Sequence, residues 1–383
     1  ILFGFAMPKF RSMQKLIDRM NLVSREIITG MPVIRTFGTE KYEEERFDKA
    51  NIKLTKTNLF VNRLMGIMMP SMMLVMNIIS ILIVWYGAKQ IDIGTLQVGT
   101  LLAFITYTMQ IIMSFLMISM VSVMLPRALV SLKRIKEILK KEISITEPTE
   151  PIPFKETEKG IIEFKDVSFK YPDADEAMLK NISFKATPGT TTAFIGSTGS
   201  GKSTLINLIP RFFDATSGEI YVDGVNIKDA SVTLLRNRIG YVPQKGMLFS
   251  GTIKSNLMLG NDSLTEEEML TAAKISQSLD FIESKEKGFN SPISQGGSNV
   301  SGGQKQRLSI ARAIAKNPEI YIFDDSFSAL DFKTDAALRK ALFKHAKNAT
   351  ILIVAQRIST IMNADNIIVL NEGQIVGRGT HKE

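Results

Sequence analysis

From Leu64 to Gly87 the chain carries no charged side chain, and from Ile93 to Pro126 it carries none either. Each stretch is longer than the ~20 apolar residues that cross a bilayer as a helix. Only the polar stretch AKQID, Ala88–Asp92, separates them, which predicts two spans, about 64–87 and 93–126, joined as a hairpin. Lys53, Lys56 and Arg63 flank the entry, Arg127, Lys133, Arg134 and Lys136 flank the exit, and the tip holds Lys89. The positive-inside bias puts both ends on the cytoplasmic side and the tip outside. A pair of buried helices in a large soluble core is the competing reading, and the uncharged lengths argue against it.

Before the hairpin, Pro8–Arg63 is helix-permissive and charged, as a cytoplasmic extension of membrane helices would be. TGMPVIRTFGTE, Thr29–Glu40, interrupts it with Gly30, Pro32 and Gly38, and this predicts a helix–turn–helix elbow. After the hairpin, Leu129–Glu142 keeps a helical period. Pro148, Pro151 and Pro153 then mark Ile143–Gly160 as an extended linker. Beyond it the pattern changes. IIEFKDVSFKY alternates as a strand, EIYVDGVNI turns at Asp223-Gly224, and TTAFIG, IGYVPQ, EIYIFDD and TILIVAQ are short apolar strands. Helical segments lie between several of them, which argues for a largely parallel sheet covered on both faces. The expected architecture is a helical transmembrane part over 1–142, with an intracellular loop at about 8–63, then a linker over 143–160. An α/β domain of the P-loop NTPase class follows over 161–383.

Composition narrows the chemistry. The 383 residues include no Cys and two His, His345 and His381. Disulfides and thiolate metal sites are excluded, and a structural zinc site has too few ligands. The formal charge of +9 suits either nucleic acid or a membrane protein with basic cytoplasmic flanks, and the clustering of cations beside the spans favours the second. The chain begins at Ile1 in mid-pattern and ends at Glu383 without a terminal signal, and it reads as a piece of a longer protein.

GSTGSGKST, Gly196–Thr204, follows an apolar strand and opens a helix, the context of a G-x-x-x-x-G-K-[ST] phosphate loop. Gly196, Gly199 and Gly201 let the backbone wrap a phosphate, and its amides with the helix start supply positive charge. Lys202 is expected on the β- and γ-phosphates and Ser203 on Mg²⁺, with Ser197, Thr198, Ser200 and Thr204 completing the loop. Asp324 closes the strand IYIF, as the metal-side carboxylate of a P-loop ATPase does. A second glycine cluster, Ser301-Gly302-Gly303-Gln304, opens another helix, either as a second anion site or simply as a capped helix. Two phosphate-binding helix starts in one domain make sense in a dimer, where each nucleotide lies between one chain's phosphate loop and the other's Ser-Gly-Gly.

With these residues in place the chain resembles the ABC transporter family, specifically exporter half-transporters of the multidrug or lipid type, over essentially its whole length. The resemblance implies an adenine-stacking role for Tyr171 and contact with Mg²⁺ and the membrane domain for Gln244. It makes Val300–Gln304 the signature, and Ser328–Asp331 (Ser328 and Asp331 at its ends) the D-loop. Gly30–Phe37 resembles the second intracellular loop, and the chain starts near the end of the fourth of six membrane helices. Two positions depart from the family. The Glu that usually follows the metal-side Asp is Asp325, and the switch His is Gln356. A carboxylate one methylene shorter stands back from the attacking water, and a Gln cannot become cationic. Both changes strike hydrolysis and leave binding of ATP and Mg²⁺ intact. This resembles the degenerate half of a heterodimeric exporter, and it implies a second half-transporter as partner.

Met109, Met113, Met117, Met120 and Met124 share one helical face, as do Met65, Met69, Met72 and Met76. They suit a cavity for varied hydrophobic compounds as well as lipid-facing or packing surface. Asn77 and Gln110 lie within the spans and fit either a pathway or helix–helix hydrogen bonds. The reading is an ATP-driven exporter subunit in the cell membrane, its ATPase domain cytoplasmic, with lipid and a hydrophobic small molecule as partners and no nucleic acid. The alternatives are a regulatory subunit that gates a partner without pumping, and a soluble ABC ATPase acting on nucleic acid or ribosomes.

Overall fold

The computed structural model describes residues 2–172 and 174–383, and within its helices the side chains of 2–8, 10, 11, 68, 116, 119, 120, 122, 123, 126, 127 and 359 lie outside that description. The chain divides into two compact units, Ile1–Lys141 and Glu142–Glu383.

Three long helices make the first unit: α1 (Leu2–Phe37), α2 (Glu40–Asp92) and α3 (Val98–Leu139). At 53 residues α2 is about 80 Å long, far more than the ~30 Å hydrocarbon layer needs. Segments of α2 and α3 are long and apolar enough to cross a membrane. Their apolar side chains, Ile67, Leu74, Ile81, Phe104 and Ile111 among them, are exposed. Met69, Met109, Met113, Met117 and Met124 are exposed too, and the Met120 and Arg127 side chains fall outside the described residues.

Two expectations are corrected here. The elbow is not at Gly30 and Pro32, because α1 runs through both. Pro32 removes one helical donor without ending the helix, and Ile28, one turn before it, is exposed. The break comes at Gly38, with φ +62°, where the Thr39 amide reaches back to Ile34 O at 3.1 Å. That six-to-one bond is a Schellman ending, which needs the left-handed residue that only Gly38 supplies cheaply. The hairpin tip is likewise displaced. Ala88–Asp92 stays helical, with the Lys89 ammonium 4.3 Å from the Trp85 ring centre, and the chain turns after it at Gly94, φ +79°. Polar residues end a span without ending its helix. Near the tip the helices approach so closely that a Cβ on Gly87 would lie 2.3 Å from Leu101 Cδ1.

In the second unit the strands are β1 (Ile162–Phe169), β2 (Leu179–Ala186), β3 (Thr191–Gly196), β4 (Ser217–Val222), β5 (Val225–Asn226) and β6 (Ile239–Val242). They continue as β7 (Gly251–Thr252), β8 (Pro292–Ile293), β9 (Ile320–Asp324), β10 (Thr350–Val354), β11 (Asn366–Asn371) and β12 (Gln374–Gly379). The central sheet has the order β12-β11-β3-β10-β9-β6, parallel except for β12. An antiparallel sheet, β2-β1-β4-β5, covers one face. Every residue of β9 and β10 is buried, which is why both read as unbroken apolar runs. Tyr321, Phe323, Ile351 and Ile353 point into one core, and Ile320, Ile322, Leu352 and Val354 into the other.

The helices are α4 (Lys202–Leu208), α5 (Val232–Asn237), α6 (Ile253–Leu257), α7 (Glu266–Ile275), α8 (Leu279–Glu283), α9 (Gly302–Ala315), α10 (Phe332–His345) and α11 (Ile358–Ile361). The segment expected as an extended linker is irregular, with a 3₁₀ turn at Glu156–Glu158, and it is fastened. Glu147 accepts hydrogen bonds from the Val232 and Thr233 amides at the start of α5, at 2.9 and 3.2 Å. Phe154 is buried under the Arg238 guanidinium, which also pairs with Glu156 at 3.1 Å.

Candidate active site

The parallel strands β3, β9 and β10 end side by side, and their carboxyl ends meet the start of α4, where open α/β sheets place ligands. The cleft there is lined by Thr198, Gly199, Gly201, Lys202, Ser203, Thr204, Gln244, Asp324, Asp325 and Gln356, joined by Met178 and Val354. Residues far apart in sequence converge because successive strands deliver them to one edge.

The loop Gly196–Gly201 owes its shape to glycine. A Cβ on Gly196 would sit 2.1 Å from Leu370 O, and one on Gly201 2.7 Å from Leu179 Cδ2. Gly199, at φ +83°, has nothing within 4 Å of its Cβ position, so an anion can approach its backbone. The Lys202 ammonium donates to Gly196 O (2.9 Å), Ser197 O (2.7 Å) and Ser200 Oγ (3.3 Å). Burial lowers the Lys202 pKa from its ordinary value, against the opposing pull of Asp325 and Asp324.

Ser203 Oγ donates to Asp324 Oδ1 at 2.9 Å. Burial raises the Asp324 carboxyl, the Ser203 bond opposes that rise, and the neighbouring Asp325 adds to it. A hydroxyl and a carboxylate oxygen beside a glycine-rich loop are the donor set that Mg²⁺ takes together with phosphate oxygens. Among the described residues no cluster of three or more His, Asp or Glu could hold a metal by itself.

Asp325 stands in the left-handed region at φ +45°, its amide donating to Val354 O at 2.9 Å. Gln244 Nε2 donates to its Oδ2 at 3.3 Å. Such backbone strain in a non-glycine residue costs roughly 1–3 kcal/mol and clusters at functional sites. Tyr171 lies beside the loop rather than in the cleft, its hydroxyl 3.1 Å from Thr204 Oγ1 and its ring edge-on to Phe213.

Ser301, Gly302, Gly303 and Gln304 do not line this cleft. They begin α9 in a capping box: Ser301 Oγ accepts from the Gln304 amide (3.2 Å), and Gln304 Oε1 from the Ser301 amide (3.0 Å). Ser328 Oγ donates to Asp325 O at 2.8 Å. Asp331 caps α10 by accepting from the Thr334 amide at 2.9 Å, which lowers its pKa.

Sequence reasoning missed several supports. Met178 and Val354 wall the cleft without polar chemistry to mark them. Arg357 Nη2 donates to Ser328 O at 3.0 Å, tying the residue after Gln356 to the Ser328 turn. Gln306, a polar residue on the buried side of α9, holds the loop that carries Gln244. Its place among the mostly apolar buried residues of α9 was a usable signal.

Residues 179–328 match the family model for an ABC transporter, and residues 2–115 match the one for an ABC transporter transmembrane region. The chain is 43% identical over 379 residues to an uncharacterized ABC transporter ATP-binding protein of Mycobacterium tuberculosis, covering 98% of this chain and 65% of that one. It is 37% identical over 383 residues to a Staphylococcus aureus protein provisionally assigned as a multidrug export ATP-binding/permease protein, covering 100% and 66%. The structure of a bacterial Atm1-family ABC exporter with ATP bound superposes with a TM-score of 0.84 at 28% identity, covering 100% of this chain and 66% of that one. The chain thus spans about 65% of the length of such relatives.

Proposed function

Because the chain belongs to the ABC transporter family, as a membrane protein with a cytoplasmic ATPase domain, we propose that it is one subunit of an ATP-driven exporter of hydrophobic or drug-like compounds. Its own site grips ATP and hydrolyses it slowly, and its Ser301–Gln304 completes the competent site of a different half-transporter. The relatives' multidrug assignment supports the substrate class, and the Met-rich faces suit it.

One observation carries the reading: the binding groups and the two altered groups share one cleft. Lys202 and the loop amides neutralise phosphate charge and orient the chain of phosphates. Ser203 and Asp324 would hold Mg²⁺, which when bound neutralises phosphate charge and fixes phosphate geometry. Asp325 is the group available to accept a proton from water, but its carboxylate is one methylene short and engaged by Gln244. A setback of about 1 Å costs up to ~100-fold in rate. Gln356 donates a neutral amide where a cation would stabilise more charge. Binding therefore outlasts turnover.

The test is ATP turnover by the full-length subunit alone and with candidate partner half-transporters. Slow turnover alone and fast turnover with a partner support the reading. Fast turnover alone, abolished by Asp325→Asn, rules out the impaired site and the heterodimer built on it.

A further inference from the structure

Gln306 is 1% exposed, yet its side chain is an amide. It escapes the cost of burial because both ends are bonded: Oε1 accepts from the Gly246 amide at 2.8 Å, and Nε2 donates to Pro243 O at 3.2 Å. These two bonds bracket Gln244. The backbone confirms the contact from the other side. A Cβ on Gly246 would lie 2.9 Å from Lys305 C and O and 3.0 Å from Gln306 N. Glycine is required there by space, since the loop is pressed against α9. Arg312, two turns on, extends the fastening by donating to Met247 O at 3.1 Å.

The ends of this loop are held elsewhere, Val242 O by Ser326 and the Phe249 backbone by Asn256, and Gln306 supplies the bonds on either side of Gln244 itself. The segment after β6 has no regular secondary structure until β7. The Gln244–Asp325 bond, at 3.3 Å, is too long to anchor a loop by itself. We propose that Gln306 is a positioning residue that sets Gln244 beside Asp325 and ties that placement to the helix whose first turn carries Ser301–Gln304. The inference rests on the reading of the Lys202 cleft as an ATP site. It adds a rigid link within one chain: Gln244 borders its own nucleotide cleft, Ser301 begins the helix that serves the partner's, and Gln306 sits one turn into that helix. A shift of Gln244 is thereby handed to Ser301.

A double-mutant cycle on ATP turnover tests this, using the full-length subunit in whichever assembly turns over ATP, alone or with its partner. Gln306→Met, of similar length but lacking both hydrogen bonds, is expected to lower turnover about 10- to 100-fold. Gln244→Ala is expected to lower it comparably, and the double variant no further. Losses that multiply, or an unchanged rate in either single variant, overturn the proposal. Gly246→Ala displaces the loop while leaving Gln306 in place, and takes the place of Gln306→Met in the cycle if that variant does not fold. Amide hydrogen exchange provides a readout apart from turnover. Exchange at Gln244–Gly246 should rise at least about 10-fold in Gln306→Met while β9 stays protected, and unchanged exchange also overturns the proposal. The cycle is read against its own parent assembly, so fast turnover by the chain alone would end the heterodimer reading and leave this test intact.

Discussion

Asp325 accepts a hydrogen bond from Gln244 at Oδ2, 3.3 Å away, while Asp324, its neighbour in the chain, accepts one from Ser203 at 2.9 Å. Two adjacent carboxylates at one strand end thus face different partners. Asp324 closes β9 and looks to the phosphate loop, and Asp325, turned by its left-handed backbone, looks to the loop after β6. In the proposed function their roles divide along the same line, metal side and water side.

Lengthening Asp325 should therefore restore chemistry without changing grip. Asp325→Glu combined with Gln356→His is expected to raise ATP turnover by the subunit alone about 100-fold. Nucleotide affinity should stay near that of the parent. Phosphate release and equilibrium binding of a fluorescent ATP analogue measure the two quantities, and an unchanged rate would place the slow step elsewhere.

Removing the Lys202 ammonium should do the reverse. In Lys202→Met the phosphates lose their cation and Asp324 and Asp325 lose their positive neighbour. Nucleotide binding is expected to weaken at least about 10-fold, consistent with loss of a charge-assisted hydrogen bond. The same fluorescent analogue reads this directly.

Two glycines of one loop should respond differently. Gly196→Ala drives a methyl to 2.1 Å from Leu370 O, and the ATPase unit should lose more than about 2 kcal/mol. Gly199→Ala meets nothing within 4 Å, so only its φ of +83° opposes it, at roughly 1 kcal/mol. Calorimetric unfolding in detergent should separate them.

The pH dependence of stability has a defined sign at Asp223. Burial pushes its carboxyl up to about 6, against the attraction of Arg238 at 3.0 Å. The folded protein thus holds this proton more tightly than the unfolded chain, whose Asp titrates near ~3.9. The contribution is complete below about pH 4 and disappears as pH climbs through about 6, amounting to about 3 kcal/mol at most. Asp223→Asn should remove that slope. Unfolding midpoints of parent and variant compared between pH 4 and 7 check it, and parallel profiles would show that the Asp223 pKa is not raised.

What the chain's linear pattern determined was whatever depends on neighbours in sequence. Uncharged runs marked helical segments long and apolar enough to cross a membrane, apolar runs gave the buried strands β9 and β10, and the strand–loop–helix context of Gly196–Thr204 was legible through local spacing alone. The I′-type turn at Asp223-Gly224, with φ of +49° and +72°, was equally local. Tertiary structure decided what depends on distant groups. The helix runs through Pro32, and Gly38 became the elbow because its capping bond closes there. Whether Ile143–Gly160 hangs free turned on Glu147 meeting α5 and Phe154 meeting Arg238. Gln306 showed only as a polar residue on a buried face, because its partners lie some sixty positions earlier in the chain. Spacing along a chain encodes local geometry, but a hydrogen bond between separate elements exists only once folding has brought both ends together.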